Sequence, residues 1–215
     1  MAVTTRYDPH GVEAEFEPGS RGRVLCNALG IIRVRDMQLA ESQALWLAQW
    51  QAIDTFSENH RFTAEDIRSL HRMWLGLIYP WAGEYRSVNI GKGGFQFAGA
   101  HLIPGLMSKL EQGVLARFTP CREREVTEAL AAVHAELILI HPFRDGNGRL
   151  ARLLALLMGL QAGLPPLDFS PLDGRGKKRY IVAIHAAMGR DYRPLAVVFE
   201  RIIERTRKRA ASSRQ

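Results

Sequence analysis

Cysteine is scarce in this chain, with two thiols, Cys26 and Cys121, among 215 residues. A disulfide framework is thereby excluded; one bridge between the two stays open, and buried, reduced thiols are the expectation. Long apolar runs are missing too. The longest, Leu153 to Leu160, falls far short of the roughly 20 residues that span a bilayer. Residues 1–20 are polar and acidic and lack the basic-then-apolar pattern of a secretion signal. These absences make the cytoplasm the expected compartment and a membrane no partner. Internal repeats and low-complexity tracts are lacking as well.

What is there suits one globular domain: 47% apolar and 24% charged residues over a length that can bury a core without metal or disulfide staples. The net charge is +7, but it is unevenly placed. Arg201, Arg205, Arg207, Lys208, Arg209 and Arg214 face one acid, Glu204, so five of the seven charges lie in the last fifteen residues. A nucleic-acid-binding face would spread its cations among aromatics. This excess reads as a solvated tail or an aid to docking a protein partner.

Along the chain the dominant period is helical. Asp36 can cap a helix running to about Phe56, with Leu39, Leu47 and Trp50 as its apolar spacing. Thr63-Ala-Glu-Asp66 reads as a capping box, followed by Ile67, Leu70, Trp74, Leu75 and Ile78 at helical intervals up to Pro80. Residues 85–90 look strand-like, 91–94 (Gly-Lys-Gly-Gly) carry turn chemistry, and Phe95-Gln96-Phe97 alternates, which predicts a β-hairpin. Helices are expected again at 104–117, 123–140, 149–162, 176–188 and 194–207. The fourth of the chain's helices carries Val126, Leu130, Val133, Leu137 and Ile140 on one stripe, and the next is apolar almost all round, so both belong to the core. The fold class is all-α with a single hairpin.

Between those two apolar helices lies His141-Pro-Phe-Arg-Asp-Gly-Asn-Gly-Arg149. Pro142 has no N–H and disfavours α geometry at His141, so the helix cannot run straight on. Asp145-Gly146-Asn147-Gly148 tolerates left-handed backbone, letting successive N–H groups converge. A helix beginning at about Arg149 offers its free N–H groups and positive dipole end to the same spot. Arg149 and Arg152, three apart, stand on one side of its first turn. Together these parts make an anion pocket suited to a polyphosphate. Asp145 is a carboxylate suited to Mg²⁺, and His141 is the one side chain of the loop that accepts a proton near neutral pH. Phosphorus chemistry needs little more than alignment, a charge clamp, a metal and a base.

The twelve residues His141 to Arg152 resemble the signature of the Fic family (the Fic/Doc, or fido, fold) at every defining position. Asn27-Ala-Leu-Gly-Ile31 resembles the segment before that family's first helix, residues 71–86 the stretch before its flap, and Lys92 to Phe97 the flap. The resemblance covers roughly 25–205, which leaves an N-terminal extension (1–24) and a basic C-terminal tail (206–215). It implies a helical domain with a hairpin flap, ATP and Mg²⁺ as cofactors, and transfer of AMP to a Ser, Thr or Tyr hydroxyl of a target protein. By that resemblance His141 deprotonates the hydroxyl, Phe143 anchors the loop, Asp145 holds Mg²⁺, Gly146, Asn147 and Gly148 cradle phosphates, Arg149 neutralises them and Arg152 takes the γ-phosphate. The flap residues Gly93, Gly94, Phe95, Gln96 and Phe97 pin the target segment by strand addition. Tyr180 is a candidate for the adenine pocket, with core packing as its other reading.

Many members of the family carry an inhibitory helix of pattern [Ser/Thr]-x-x-x-Glu-[Gly/Asn], whose Glu pairs with the second arginine. Here only Glu58 precedes an Asn, and Asp54 stands where Ser or Thr belongs; no Glu precedes a Gly. By the resemblance, restraint then comes from a separate small protein, as in the family's toxin–antitoxin members, or there is none; the expectation is a toxin, or an effector delivered into another cell, held off by an antitoxin that supplies a Glu to Arg152. Two other readings stay open: a phosphotransferase on the same fold, and a non-catalytic module that binds anions or nucleic acid.

Overall fold

Helices account for nearly all the regular structure, in the order α1 (Val34–Thr55), α2 (Ala64–Leu75), strands β1 (Gly91–Lys92) and β2 (Phe95–Gln96), α3 (Ile103–Leu110), α4 (Ala116–Phe118), α5 (Val126–Ile140), α6 (Asn147–Gln161), α7 (Arg175–Ala186) and α8 (Arg193–Ser212). This computed structural model describes residue 13 and residues 15–172 and 174–212. The first twelve residues of the expected extension and the last three of the expected tail lie outside the described residues.

The core is built on α5 and α6. Ala129, Leu130, Ala131 and Ala132 on α5 and Leu150, Ala151, Leu154 and Met158 on α6 are at most 1% exposed. Small residues on α5 let α6 come close on one side and α8 on another, while α1 and α2 pair and reach α6. Burial of each large side chain here stabilises the fold by about 1.5–3 kcal/mol. Among the described residues no helix is long and apolar enough to cross a membrane.

Several expected boundaries move. The Thr63 capping box is present in full, with Thr63 Oγ1 accepting from the Asp66 N–H and Asp66 accepting from the Thr63 N–H. On α1, however, Arg33 is the N-cap without a side-chain bond, and Asp36 lies inside the first turn. The apolar residues expected to seat α1 face outward: Leu39, Leu47 and Trp50 are 59%, 61% and 53% exposed. Its buried face is Met37, Glu41, Ala48 and Ala52, on a helix that packs against α2 and α6. The helix expected over 104–117 is α3, continued through a π turn at Glu111–Leu115 into α4. Cys26 lies in no helix; it follows the Phe16–Leu25 bridge, and both thiols are free. Far from ending at 207, α8 continues to Ser212, so most of the basic tail is helical. Some of its charge is used at home: Arg205 and Arg209 pair with Asp168 at 3.0 and 3.5 Å, and Arg207 with Glu123 at 3.2 Å.

The hairpin is shorter than the pattern suggests. Gly91 pairs with Gln96 and Lys92 with Phe95. Gly93 and Gly94, at φ +59° and +83°, form a two-residue turn with both residues left-handed, which only glycine adopts cheaply. Residues 85–90 are not a strand. The Arg86 N–H donates to the Pro142 carbonyl at 2.9 Å, the Ser87 N–H to Glu13 Oε1 at 2.8 Å, and the Ile90 carbonyl accepts from the Phe97 N–H at 3.2 Å.

Candidate active site

His141 ends α5 in a left-handed conformation, φ +51° and ψ +61°. Proline at 142 excludes the right-handed continuation, and the residue turns left-handed rather than extended. Pro142 has a second effect. Having no N–H, it leaves the Ile138 carbonyl without its helical donor, and His141 Nδ1 sits 2.9 Å from that oxygen. A carbonyl can only accept, so Nδ1 carries the proton and Nε2 presents the lone pair. Burial lowers the imidazole pKa to about 4, with the Arg86 and Lys92 charges adding to the depression and the Ile138 and Asp145 oxygens opposing it. At neutral pH His141 is therefore an uncharged, oriented acceptor.

The loop beyond it is stapled internally. Asn147 is 2% exposed; its side chain accepts from the Phe143 N–H at 2.9 Å and donates to the Phe143 carbonyl at 2.7 Å. Phe143 is fully buried and stacks on His71 at 4.0 Å. His71 accepts the Gly83 N–H at Nδ1 (2.8 Å), so its Nε2 donates to the Asp145 carbonyl (3.1 Å). Gly146 is required twice over: its φ is +83°, and a Cβ would lie 2.8 Å from the Trp74 ring.

From Gly146 the helix α6 departs two residues earlier than expected, at Asn147. Its first-turn N–H groups at Asn147, Gly148 and Arg149 have no intrahelical acceptor and open toward the loop. The side chain of Asn147 braces the loop, so its contribution to an anion cradle is its main-chain N–H. Space exists over Gly148, where an added Cβ would meet only Arg152 Nη1, at 3.9 Å. Thus Arg152 reaches back toward the helix start. Its charge is also felt by His134 and Tyr180.

Arg149 goes the other way. Its Nη1 donates to Glu41 Oε2 of α1 at 2.6 Å, and its guanidinium lies 4.6 Å over the Trp74 ring. The two arginines flank the N–H groups rather than standing side by side. Asp145 is exposed; one carboxylate oxygen accepts the Gly146 N–H at 2.6 Å. No cluster of three or more His, Cys, Asp or Glu occurs among the described residues. A lone outward carboxylate is a donor that suits Mg²⁺, which takes few protein carboxylates. Tyr180, on α7, hydrogen-bonds His134 Nε2 at 2.8 Å.

The flap closes the other side. Phe97 stacks on the His141 ring at 3.7 Å and 14°, and Phe95 on His185 at 5.2 Å. Arg86, 2% exposed, straps flap to loop: it donates to the carbonyls of His141 (2.8 Å), Val88 (2.7 Å) and Ala98 (2.6 Å). Glu41, His71, Trp74, Tyr79 and Arg86 are the supporting residues that reading the sequence does not assign a role. Glu41, His71, Trp74 and Arg86 lie 55 to 108 positions from the loop and α6 residues they brace, and Tyr79 lies 38 from Glu41, with no local pattern to mark them.

Residues 61–158, which span α2, the flap, α5 and most of α6, match the model of the Fic/DOC family. "Protein adenylyltransferase fic-1" of Caenorhabditis briggsae is 35% identical over 144 residues, 64% of this chain and 26% of that protein. The chain thus spans about a quarter of the length of that relative. "Probable protein adenylyltransferase y4lH" of Sinorhizobium fredii is 34% identical over 140 residues, 63% of this chain and 70% of that protein. Among solved structures, the N-terminal Fic domain of an effector from Bartonella sp. AR 15-3 aligns with a TM-score of 0.72 at 21% identity, over 92% of this chain and 94% of that one. BepC of Bartonella tribocorum, solved with bound AMPPNP, aligns at 0.68 and 23% identity over 90% and 98%. At such identities the likeness is one of fold. The hairpin-flanked loop, the family match around it and the extent of the bacterial relative agree, and this chain belongs to the Fic/DOC family.

Proposed function

We propose that the chain is a protein adenylyltransferase, transferring AMP from ATP to a Ser, Thr or Tyr hydroxyl of a target protein. The observation that carries this reading is the His141 imidazole, with its proton on Nδ1 and its lone pair on Nε2, standing at the loop that leads into the free N–H groups of α6. Those N–H groups, with Arg149 and Arg152 on either side, bind the triphosphate and leave the α-phosphorus facing His141. Asp145 would hold Mg²⁺, which would supply positive charge to offset that of the triphosphate.

In the transfer, the target hydroxyl oxygen forms a bond to the α-phosphorus. The bond from that phosphorus to the bridging oxygen breaks, and pyrophosphate leaves. The hydroxyl proton passes to His141 Nε2. Main-chain groups of the flap, Gly93 to Phe97, align the target segment by strand addition. Tyr180, whose hydroxyl is held by His134 Nε2, is the residue offered to the adenine.

Label from ATP carried at the α-phosphate appears on protein with the parent chain and disappears with His141→Ala, while nucleotide binding persists. Label retained by His141→Ala, or mass spectrometry that finds phosphate in place of AMP on the target, refutes the reading. Restraint, on this proposal, comes from a separate small protein that supplies a Glu to Arg152, since the chain has no inhibitory motif of its own. Co-expression with the product of an adjacent short reading frame then suppresses labelling, and an unrestrained, harmless chain counts against it. Work of this kind suits a cytoplasmic protein or one delivered into another cell.

A further inference from the structure

Glu41 is a charged residue on the buried face of a helix, and the site described above does not account for it. It is 5% exposed, in the middle of α1. A carboxylate so placed persists only with partners, and Glu41 has them on every side. Oε2 accepts from Arg149 Nη1 at 2.6 Å and Oε1 from the Tyr79 hydroxyl at 2.7 Å. Its main-chain carbonyl accepts from Trp74 Nε1 at 2.9 Å. The same Trp74 underlies the Arg149 guanidinium at 4.6 Å and closes against Gly146, so one indole sets the turn and the arginine together.

Arg149 is thereby held in a fixed plane, gripped at one nitrogen by a carboxylate and backed by an aromatic face. Its side chain is 28% exposed, so the guanidinium keeps an open edge while losing its freedom to swing. The carboxylate cannot turn aside to let Arg149 go, because Tyr79 pins its other oxygen. This contact differs in kind from an inhibitory glutamate: it engages the first arginine rather than the second, and it lies beneath the guanidinium rather than over the phosphate cradle.

We infer that Glu41 is a positioning residue for nucleotide binding, which presets the Arg149 guanidinium for the triphosphate so that little side-chain freedom is lost when ATP arrives. The inference rests on the reading of Arg149 as a phosphate ligand. Truncating Glu41 frees Arg149 to wander, and ATP affinity falls. Glutamine keeps the geometry: its oxygen accepts from Arg149 and its amide donates to the Tyr79 oxygen.

The test is equilibrium binding of Mg-ATP to the full chain, by calorimetry, across a double-mutant cycle. Arg149→Ala weakens binding about tenfold or more, Glu41→Ala weakens it by about tenfold, and Glu41→Gln restores it to within about threefold of the parent. In the Arg149→Ala background, Glu41→Ala produces no further loss, the signature of action through Arg149 rather than through general stability. Should Glu41→Ala fail to fold, Tyr79→Phe releases one carboxylate oxygen while the charge stays, and weakens ATP binding by about threefold in the parent but not in Arg149→Ala. Unchanged or tighter ATP binding in Glu41→Ala, or losses that simply add, overturns the inference. An Arg149→Ala variant that binds ATP as well as the parent instead removes the phosphate-ligand reading beneath it.

Discussion

Replacing Arg86 by methionine tests how the catalytic loop and the flap are held together. The guanidinium bonds three carbonyls at 2.6–2.8 Å, those of Ala98, Val88 and His141, and approaches that of Ile140 at 3.4 Å. Methionine fills most of the volume and adds no charge, so the main loss is of hydrogen bonds rather than packing. Each buried carbonyl left without a donor costs about 1–3 kcal/mol. Against this, a buried charge is removed; burial already depresses the Arg86 pKa, which shows that the site disfavours the cation. The balance is a loss of about 3–5 kcal/mol. For a chain of this length that lowers the melting temperature by about 10 °C, readable by calorimetry. Hydrogen exchange should also speed up in the flap and at the end of α5, more than in α8. Arg86→Lys recovers part of the loss, since one ammonium cannot reach all these oxygens at once. A methionine variant that melts within about 2 °C of the parent refutes the strap.

Gly146→Ala puts a side chain on a left-handed residue, at about 1–2 kcal/mol, and against Trp74 at 2.8 Å, at about 1–3 kcal/mol more; urea unfolding measures the total, and ATP binding weakens with it. Acid sensitivity follows from three histidines, His71, His134 and His141, whose pKa values burial lowers from 6.5 to about 4. Above pH 6.5 both folded and unfolded chains hold them neutral. As the pH falls toward 4 the unfolded chain binds protons that the folded one refuses, so stability is lost by up to about 1.4 kcal/mol per pH unit for each histidine; denaturant midpoints that do not move between pH 7 and 5 contradict this. Phe97→Ala uncovers the His141 ring, and its pKa, followed by NMR, should rise from about 4 toward the ordinary value. A pKa that stays near 4 would show that the flap is not what buries the base.

The parts of this molecule that could be read in advance are those whose physics is local. Proline after His141, glycine at 146 and the capping box at Thr63 act within a few residues, and the structure forms a turn or a cap at each. The apolar periodicity of α5 likewise identified a core helix. It misled on α1, where Leu39, Leu47 and Trp50 form a helical stripe that faces outward. Periodicity shows that a helix has two faces; which face is buried depends on the neighbours, and here α2 and α6 receive Met37, Glu41, Ala48 and Ala52. The strand expected over 85–90 failed for a related reason: β propensity is outweighed once Arg86 and the loop after α5 take the main-chain bonds. Glu41 on Arg149 and His71 on the Asp145 carbonyl join residues 108 and 74 positions apart. No spacing rule reaches that far.

The dipeptide His141-Pro142 shows how much chemistry one local rule can carry. Proline stops α5, and in doing so frees the Ile138 oxygen; that oxygen fixes the imidazole tautomer, so the residue that ends the helix also prepares the base. The depressed pKa that comes with burial keeps the base neutral but makes it a weak acceptor. A triphosphate in the adjoining cradle would bring negative charge close to the ring and favour its protonated form. On the proposed function, charge on the nucleotide would then raise the basicity of His141 when the phosphorus to be attacked is present. On the same proposed function the protein need not hold the imidazole near neutral pKa by itself: the buried, flap-covered His141 would be a resting base that a bound triphosphate strengthens.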